Sequence, residues 1–413
     1  MTRRRLASTG FIAVLLLAAS ACGRGSSHPA AATGATSPLA PTGVSGPSSV
    51  SSVSGEPPAG DVMYDVASIG PDDAWAVGVR YPIDGPTVGV SLVEHWDGTA
   101  WTSVSVPDVS AVLAVSASGP DDVWALGSRG VLHFDGSWHT TPTPEFGVNQ
   151  PQALVAVSPH DAWMVGVRYG AMFPGLCGDP DRENLPLVEH WDGSSWVRID
   201  VPRPPVHQSQ LIAVAALGPN DVWATGGYAR DTPPTGPGNG CANVPDPGSG
   251  TVMLHWDGSA WSMAPVPSPG RDAEVRSISV DRQDDAWAIG GSQTVQGAGP
   301  VFHWNGAAWT ELPPGESPPG RPGTVSRLLA LSPDDLWAAG GSIEHWDGSG
   351  WSVAGLPGDT AGASFGGIDA SAPADVWSVG TTGSDGDGSP SAAVIVHWNG
   401  TAWSQVPAAP FPA

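Results

Sequence analysis

One phrase recurs seven times along this chain of 413 residues. It reads Pro71-Asp-Asp-Ala-Trp-Ala-Val-Gly78 at first and returns at Pro120–Gly127, Pro159–Gly166, Pro219–Gly226, Arg282–Gly290, Pro333–Gly340 and Pro373–Gly380. A second phrase follows each copy: His95-Trp-Asp-Gly-Thr-Ala-Trp101, with echoes starting at His133, His190, His255, His303, His345 and His397. From Trp75 to Trp377 the first-phrase tryptophans are 302/6, about 50, residues apart on average. All 20 tryptophans lie in these phrases. Seven sit in the first phrase, seven close the second, and six follow its His, where repeat two has Phe134 instead. A period of this length marks a supersecondary unit that cannot bury its apolar face alone and must stack on copies of itself.

Each repeat reads as four strands, A to D. Strand A is apolar and small, as in Val112-Leu-Ala-Val-Ser116. A Pro-Asp-Asp turn follows, with Pro and Asp at positions a β-turn favours. Strand B carries the first-phrase Trp, and strand C ends at the His. Asp-Gly or Asn-Gly then turns the chain into strand D, as in a hairpin. Six repeats separate the flanking aromatics by five residues, as Trp96 and Trp101, and repeat two by four, Phe134 and Trp138. A four-residue loop in six repeats and a three-residue loop in one keeps each pair directly cross-strand; with Asp-Gly alone as the loop, the deletion would turn Trp138 to the opposite face. The expectation is an all-β chain forming a seven-bladed β-propeller of four-stranded antiparallel blades over residues 61–413. Each repeat runs from A to D, so blade one should close on blade seven by packing, without a borrowed strand.

Composition agrees. Gly and Pro, 55 and 43 residues, disfavour long helices. The net charge of -24 and the 16 basic residues, all Arg, argue against a nucleic-acid partner, which would need a positive face.

The N-terminus has the layout of a targeting segment. Arg3, Arg4 and Arg5 precede the apolar run Phe11–Ala19, too short to cross a bilayer, and Ala19-Ser20-Ala21-Cys22 follows. This resembles a bacterial lipobox, with residues 1–21 as signal peptide and Cys22 as the lipid-attachment site. Residues 22–60, rich in Ser, Gly, Ala, Pro and Thr, read as a disordered tether. The expected location is the extracytoplasmic face of the cell membrane, lipid-anchored and monomeric. With Cys22 acylated, Cys177 and Cys241 are left to form a disulfide between two long B–C connections.

The body resembles kelch and galactose-oxidase-like propellers, on Leu336-Trp-Ala-Ala-Gly-Gly341 and His345-Trp-Asp-Gly-Ser-Gly-Trp351. Its Asp-Gly-x-x-Trp element is similar to the Asp-box hairpins of sialidase-like propellers. Neither resemblance brings an activity. The four tyrosines, Tyr64, Tyr81, Tyr169 and Tyr228, match no copper-site constellation, so no cofactor is expected.

The seven strand-C histidines lie in different repeats and cannot converge on one metal ion. They read as packed histidines satisfied by a turn Asp or backbone. The recurring Asp-Asp pairs read as turn residues. No catalytic residue stands out. Function should lie on the face shared by the B–C connections, where the longest irregular segments follow repeats three and four. Arg80, Arg129, Arg168 and Arg230 lie just beyond strand B in repeats one to four, with Tyr81, Tyr169 and Tyr228 alongside. Arg forks take carboxylate, sulfate or phosphate, and Tyr stacks on sugar rings. These seven residues form the candidate ligand site of a binding or scaffolding module for a glycan or protein. The competing view pairs the arginines with nearby acids such as Asp84, Asp179, Asp181 and Asp231. The alternative function is a secreted carbohydrate-active enzyme, a glycoside hydrolase or lyase, with its site on the same face.

Overall fold

The computed structural model describes residues 60–81, 89–144, 146–147, 149–174, 180–229, 249–267, 273–292, 299–312, 325–360, 362–382 and 392–410. The signal segment, the tether up to residue 59, Cys22, Cys177, Cys241 and Arg230 lie outside the described residues.

Apart from one 3-10 turn at Gly358–Thr360, every element is a strand. Repeats one, two, five, six and seven each form a separate four-stranded sheet in chain order, antiparallel throughout. Repeats three and four share one eight-stranded sheet. Within it each repeat keeps its four antiparallel strands, and a single parallel pair, Asn184↔Gln208, joins them. Repeat three departs from the others because its hairpin, strands Asp161–Pro174 and Pro180–Trp191, runs beyond strand A and reaches the start of repeat four.

The sheets close into the ring of a β-propeller. Strand A of repeat one, Gly60–Gly70, pairs with its own strand B. Repeat seven keeps only its own four strands. The junction is made by packing and side chains: Met63 N donates to Thr381 Oγ1 at 3.2 Å and Ser68 N to Asp369 Oδ2 at 2.8 Å. Closure without a borrowed strand follows from the phase of the repeats.

The core lies between repeats. Each strand-B Trp packs on the aromatic hairpin pair of the next repeat. Trp75 lies 5.2 Å from both Phe134 and Trp138, and Trp223 lies 5.1 and 5.3 Å from Trp304 and Trp309, centroid to centroid. Trp377 meets Trp96 and Trp101 at 5.0 and 5.2 Å, so the same joint closes the ring. The tilted and edge-on geometry suits the aromatic quadrupole.

The hairpin loops keep the aromatics in register. Trp96 faces Trp101, and Phe134 faces Trp138 across the shorter loop. Asp97 Oδ1 accepts from Thr99 N, Thr99 Oγ1 and Ala100 N, and Gly98 takes φ +88°, a conformation that favours Gly. The Thr99 hydroxyl and the two amides hold the exposed Asp97 carboxyl down at about 2.

All seven strand-C histidines meet the Asp that opens strand B of the same repeat. The Nε2–Oδ1 distances run from 2.6 Å (His397–Asp375) to 3.0 Å (His95–Asp73). The strand-B Trp lies over each imidazole, closest in the 3.8 Å stack of Trp124 on His133. These histidines are structural: each ties strand C to the turn before strand B.

Candidate functional site

The B–C face is the irregular one. Arg80, Arg129, Arg168 and Tyr228 each stand five residues after their strand-B Trp, at equivalent heights in repeats one to four. Their surroundings differ.

Arg80 is held from within. Its Nε donates to Asp61 Oδ1 at 2.9 Å and Oδ2 at 3.2 Å, and Nη2 to Oδ2 at 2.7 Å. Nη1 reaches Ser103 Oγ at 3.3 Å. Glu94 Oε1 is 3.7 Å from Nη2, an ion pair too long for a hydrogen bond. The Asp61 carboxylate raises the Arg80 pKa against the opposing effect of burial. Asp61 faces Arg80 directly across strands A and B. Arg80 therefore belongs to the sheet: its partner is a neighbouring-strand acid, not a loop acid, and its fork is already filled.

Tyr81 is 36% exposed. A Cβ on Gly89 would come within 3.1 Å of its ring, so the absent side chain lets the ring lie on strand C. Tyr228 rests similarly on Gly250 and packs half-buried against the core of repeats three and four. Arg129 is exposed on a tight turn fixed by its N–H to Val109 O at 3.1 Å.

Repeat three builds the most elaborate part of the face. Arg168 and Tyr169 sit half-exposed on its long strand B. The backbone bulges between Tyr169 and Met172, and Arg182 Nε donates to Gly170 O at 3.4 Å across it. The Arg182 guanidinium lies 5.2 Å from the Tyr169 ring centroid, a cation–π distance. Repeat four braces the hairpin. Asn184 N donates to His207 O at 2.9 Å, and Gln208 Nε2 to Arg182 O at 2.9 Å. Glu183 Oε1 is 3.0 Å from His207 Nδ1 and 3.9 Å from Arg203 Nη1. The His207 contact holds the Glu183 carboxyl below its usual range. No ion pair of Arg168 or Arg129 is found among the described residues.

The structure thus joins Arg168, Tyr169 and Tyr228 in one continuous sheet, and keeps Arg80 in the sheet of repeat one and Arg129 on a turn of repeat two. Arg182, Glu183 and His207 were absent from the candidate set. Their signal was slight: charged residues flanking a long connection, with no repeat counterpart.

The carboxyls most displaced from their ordinary range lie elsewhere. Burial pushes Asp65, Glu94 and Asp369 up to about 7. Each accepts a backbone N–H from a neighbouring repeat: Asp65 Oδ2 from Val115 at 2.8 Å, Asp369 Oδ2 from Ser68 at 2.8 Å, Glu94 Oε2 from Ala409 at 3.0 Å. Their chemistry is cohesion between repeats. The B–C face of repeats three and four offers guanidinium groups beside aromatic rings, suited to recognising an anionic, ring-bearing ligand.

No protein-family model matches the sequence, and no curated protein matches it. Solved structures do. The β-propeller domain of the Trilobed protease from Pyrococcus furiosus, described as having an open velcro topology, superposes with TM-score 0.52 at 9% identity, over 86% of this chain and 100% of that one. YCF48 from Cyanidioschyzon merolae gives TM-score 0.49 at 14% identity, over 83% and 96%. A fucose-specific lectin from Aleuria aurantia gives 0.42 at 11%, over 85% and 97%. At 9% identity the likeness to the Trilobed protease domain bears on the fold class alone, a β-propeller.

Proposed function

We propose that this chain is a lipid-anchored, extracytoplasmic binding module: a seven-bladed propeller whose B–C face takes an anionic glycan at repeats three and four. The eight-stranded sheet counts as two blades in this reading. One observation carries it. The hairpin of repeat three extends past its own sheet and is braced on repeat four by Asn184, Gln208 and the Glu183–His207 pair. That bracing holds Arg168, Tyr169 and Arg182 on a fixed support, and preorganised groups recognise ligands at lower entropic cost. Cys22 would carry the lipid, and a Cys177–Cys241 disulfide would tie the B–C connections of repeats three and four.

The test is a glycan array probed with the 61–413 fragment and with its Arg168→Ala variant. Carboxylated or sulfated glycans should be retained by the parent and lost by the variant, at unchanged melting temperature. Equal binding by both, or no preference for anionic glycans, would overturn the site. Free thiols at Cys177 and Cys241 in non-reduced protein, by mass spectrometry, would remove the disulfide. Membrane retention of a Cys22→Ser chain would remove the anchor.

A further inference from the structure

Strand A of each repeat has two positions whose side chains reach the next repeat: ten and eight residues before the strand-B Trp. Where they are Ser or Asp, they accept a backbone N–H from the adjacent strand A. Ser116 accepts from Ala156 N, Ser277 from Leu328 N and Ser279 from Ala330 N, each at 3.0 Å. Serine is sufficient for that hydrogen bond. Repeats seven and one each hold an acid at one of these positions instead: Asp369 accepts from Ser68 N across the closing junction and Asp65 from Val115 N across the next one, both at 2.8 Å.

A buried acid where a hydroxyl serves elsewhere adds ionisation and nothing else the hydrogen bond needs. The countercharge is incomplete. Among the described residues, the cation beside Asp65 is Arg327 of repeat six, itself 3% exposed. Its Nε is 4.0 Å from Asp65 Oδ1 and makes no hydrogen bond. Gly367 of repeat seven lies against the same strand: a Cβ there would come within 2.6 Å of Asp65 Cα. Arg327 stands beside Asp65, and no cation pairs with Asp369 among the described residues, so ionising both carboxyls leaves a buried negative charge unbalanced.

We propose that strand A of repeat one is held by a proton-controlled clasp, Asp369 fastening it to repeat seven and Asp65 fastening it to repeat two, closed while both carboxyls retain protons and loosened once both ionise. Among the described residues no strand pairs across the ring closure, so these hydrogen bonds act there beside the side-chain packing of Met63, Trp96, Trp101 and Trp377. The other ionisable groups facing it are accounted for. Asp375, on strand B of repeat seven, is paired with His397 and pushes Asp369 further up. Asp61 is neutralised by Arg80, and Glu94 lies beside that pair. Tyr64, raised to about 12 by burial, stays neutral. The facing strand of repeat two, Val112–Gly119, carries no ionisable side chain.

Burial places both carboxyls near 7 when closed. In an open junction they return to about 4. The closed state therefore binds more protons between those values, and opening rises about tenfold per pH unit per proton across that interval.

Hydrogen exchange on the full chain at pH 5.0 and 7.5, corrected for the intrinsic rate, tests this. Amides of residues 63–70 and 365–371 should open at least about tenfold more at the higher pH. Amides of 154–158, at the Ser116 junction, should not change. Asp65→Asn and Asp369→Asn keep an acceptor oxygen but cannot ionise, and the double variant should lose the response. A wild-type closing junction that tracks the Ser116 junction would overturn the clasp, whatever the variants do. So would a folded double variant with the full response.

Discussion

His133 Nε2 lies 2.8 Å from Asp122 Oδ1, and that same oxygen accepts from Trp124 Nε1 at 3.0 Å. One carboxylate thus fixes both the imidazole and the indole stacked on it. Both partners are buried, so Asp122→Ala leaves two polar groups unsatisfied. It should destabilise by about 1–3 kcal/mol per orphaned group. The midpoint of urea unfolding reports this; an unchanged midpoint would show that the pair contributes nothing.

Trp223 is 2% exposed and joins repeats four and five through Trp304 and Trp309. Trp223→Ala should cost about 3–5 kcal/mol, from lost burial and the cavity left between sheets. A melting temperature equal to that of the parent would contradict the inter-repeat core.

Arg80 and Arg168 occupy the same position in their repeats but should respond differently. Arg80→Ala strips the cation from Asp61, 5% exposed, and Glu94, fully buried. The expected loss is about 3–5 kcal/mol, as for a broken buried pair. Arg168→Ala, at a half-exposed side chain with no ion pair among the described residues, should stay within about 0.5 kcal/mol. Parallel denaturant titrations decide; equal effects would mean that Arg168 has a structural partner too.

Stability should peak near pH 4. Asp65, Glu94 and Asp369, raised to about 7 by burial, keep protons that the unfolded chain releases near 4, so stability falls as pH rises from 4 to 7. Asp97 and Asp257, held near 2 by neighbouring hydroxyls and amides, contribute above 4, and that contribution is lost as pH falls from 4 to 2. Melting temperatures from pH 2 to 9 should trace both limbs, and Glu94→Gln should flatten the upper one.

The repeats made the ring legible, because aromatic spacing fixes register and register fixes which face a side chain occupies. The histidines could be assigned by the same reasoning: they share a face with Val93 or Val131, which only a packed side chain can do. Arg80's role was hidden. Its partner Asp61 stands where the apolar pattern begins and looks like the end of the tether, while strand pairing puts it directly opposite. Asp65 and Asp369 were hidden for a related reason. Strand A reads as small and apolar, and an isolated acid in it carries no sign that its carboxyl meets the backbone of another repeat. The joining of repeats three and four depends on the length of one hairpin, which no periodicity encodes.

The closing junction also separates chain order from spatial order. Ala409 N on Glu94 and Met63 N on Thr381 bring the two ends of the ring side by side. Since each repeat supplies its own four strands, the covalent break could fall at any inter-repeat link without removing a strand pair. A circular permutant starting at repeat five, with residue 410 spliced to residue 60, would retain every ladder of the parent. Its original ends would then be a loop.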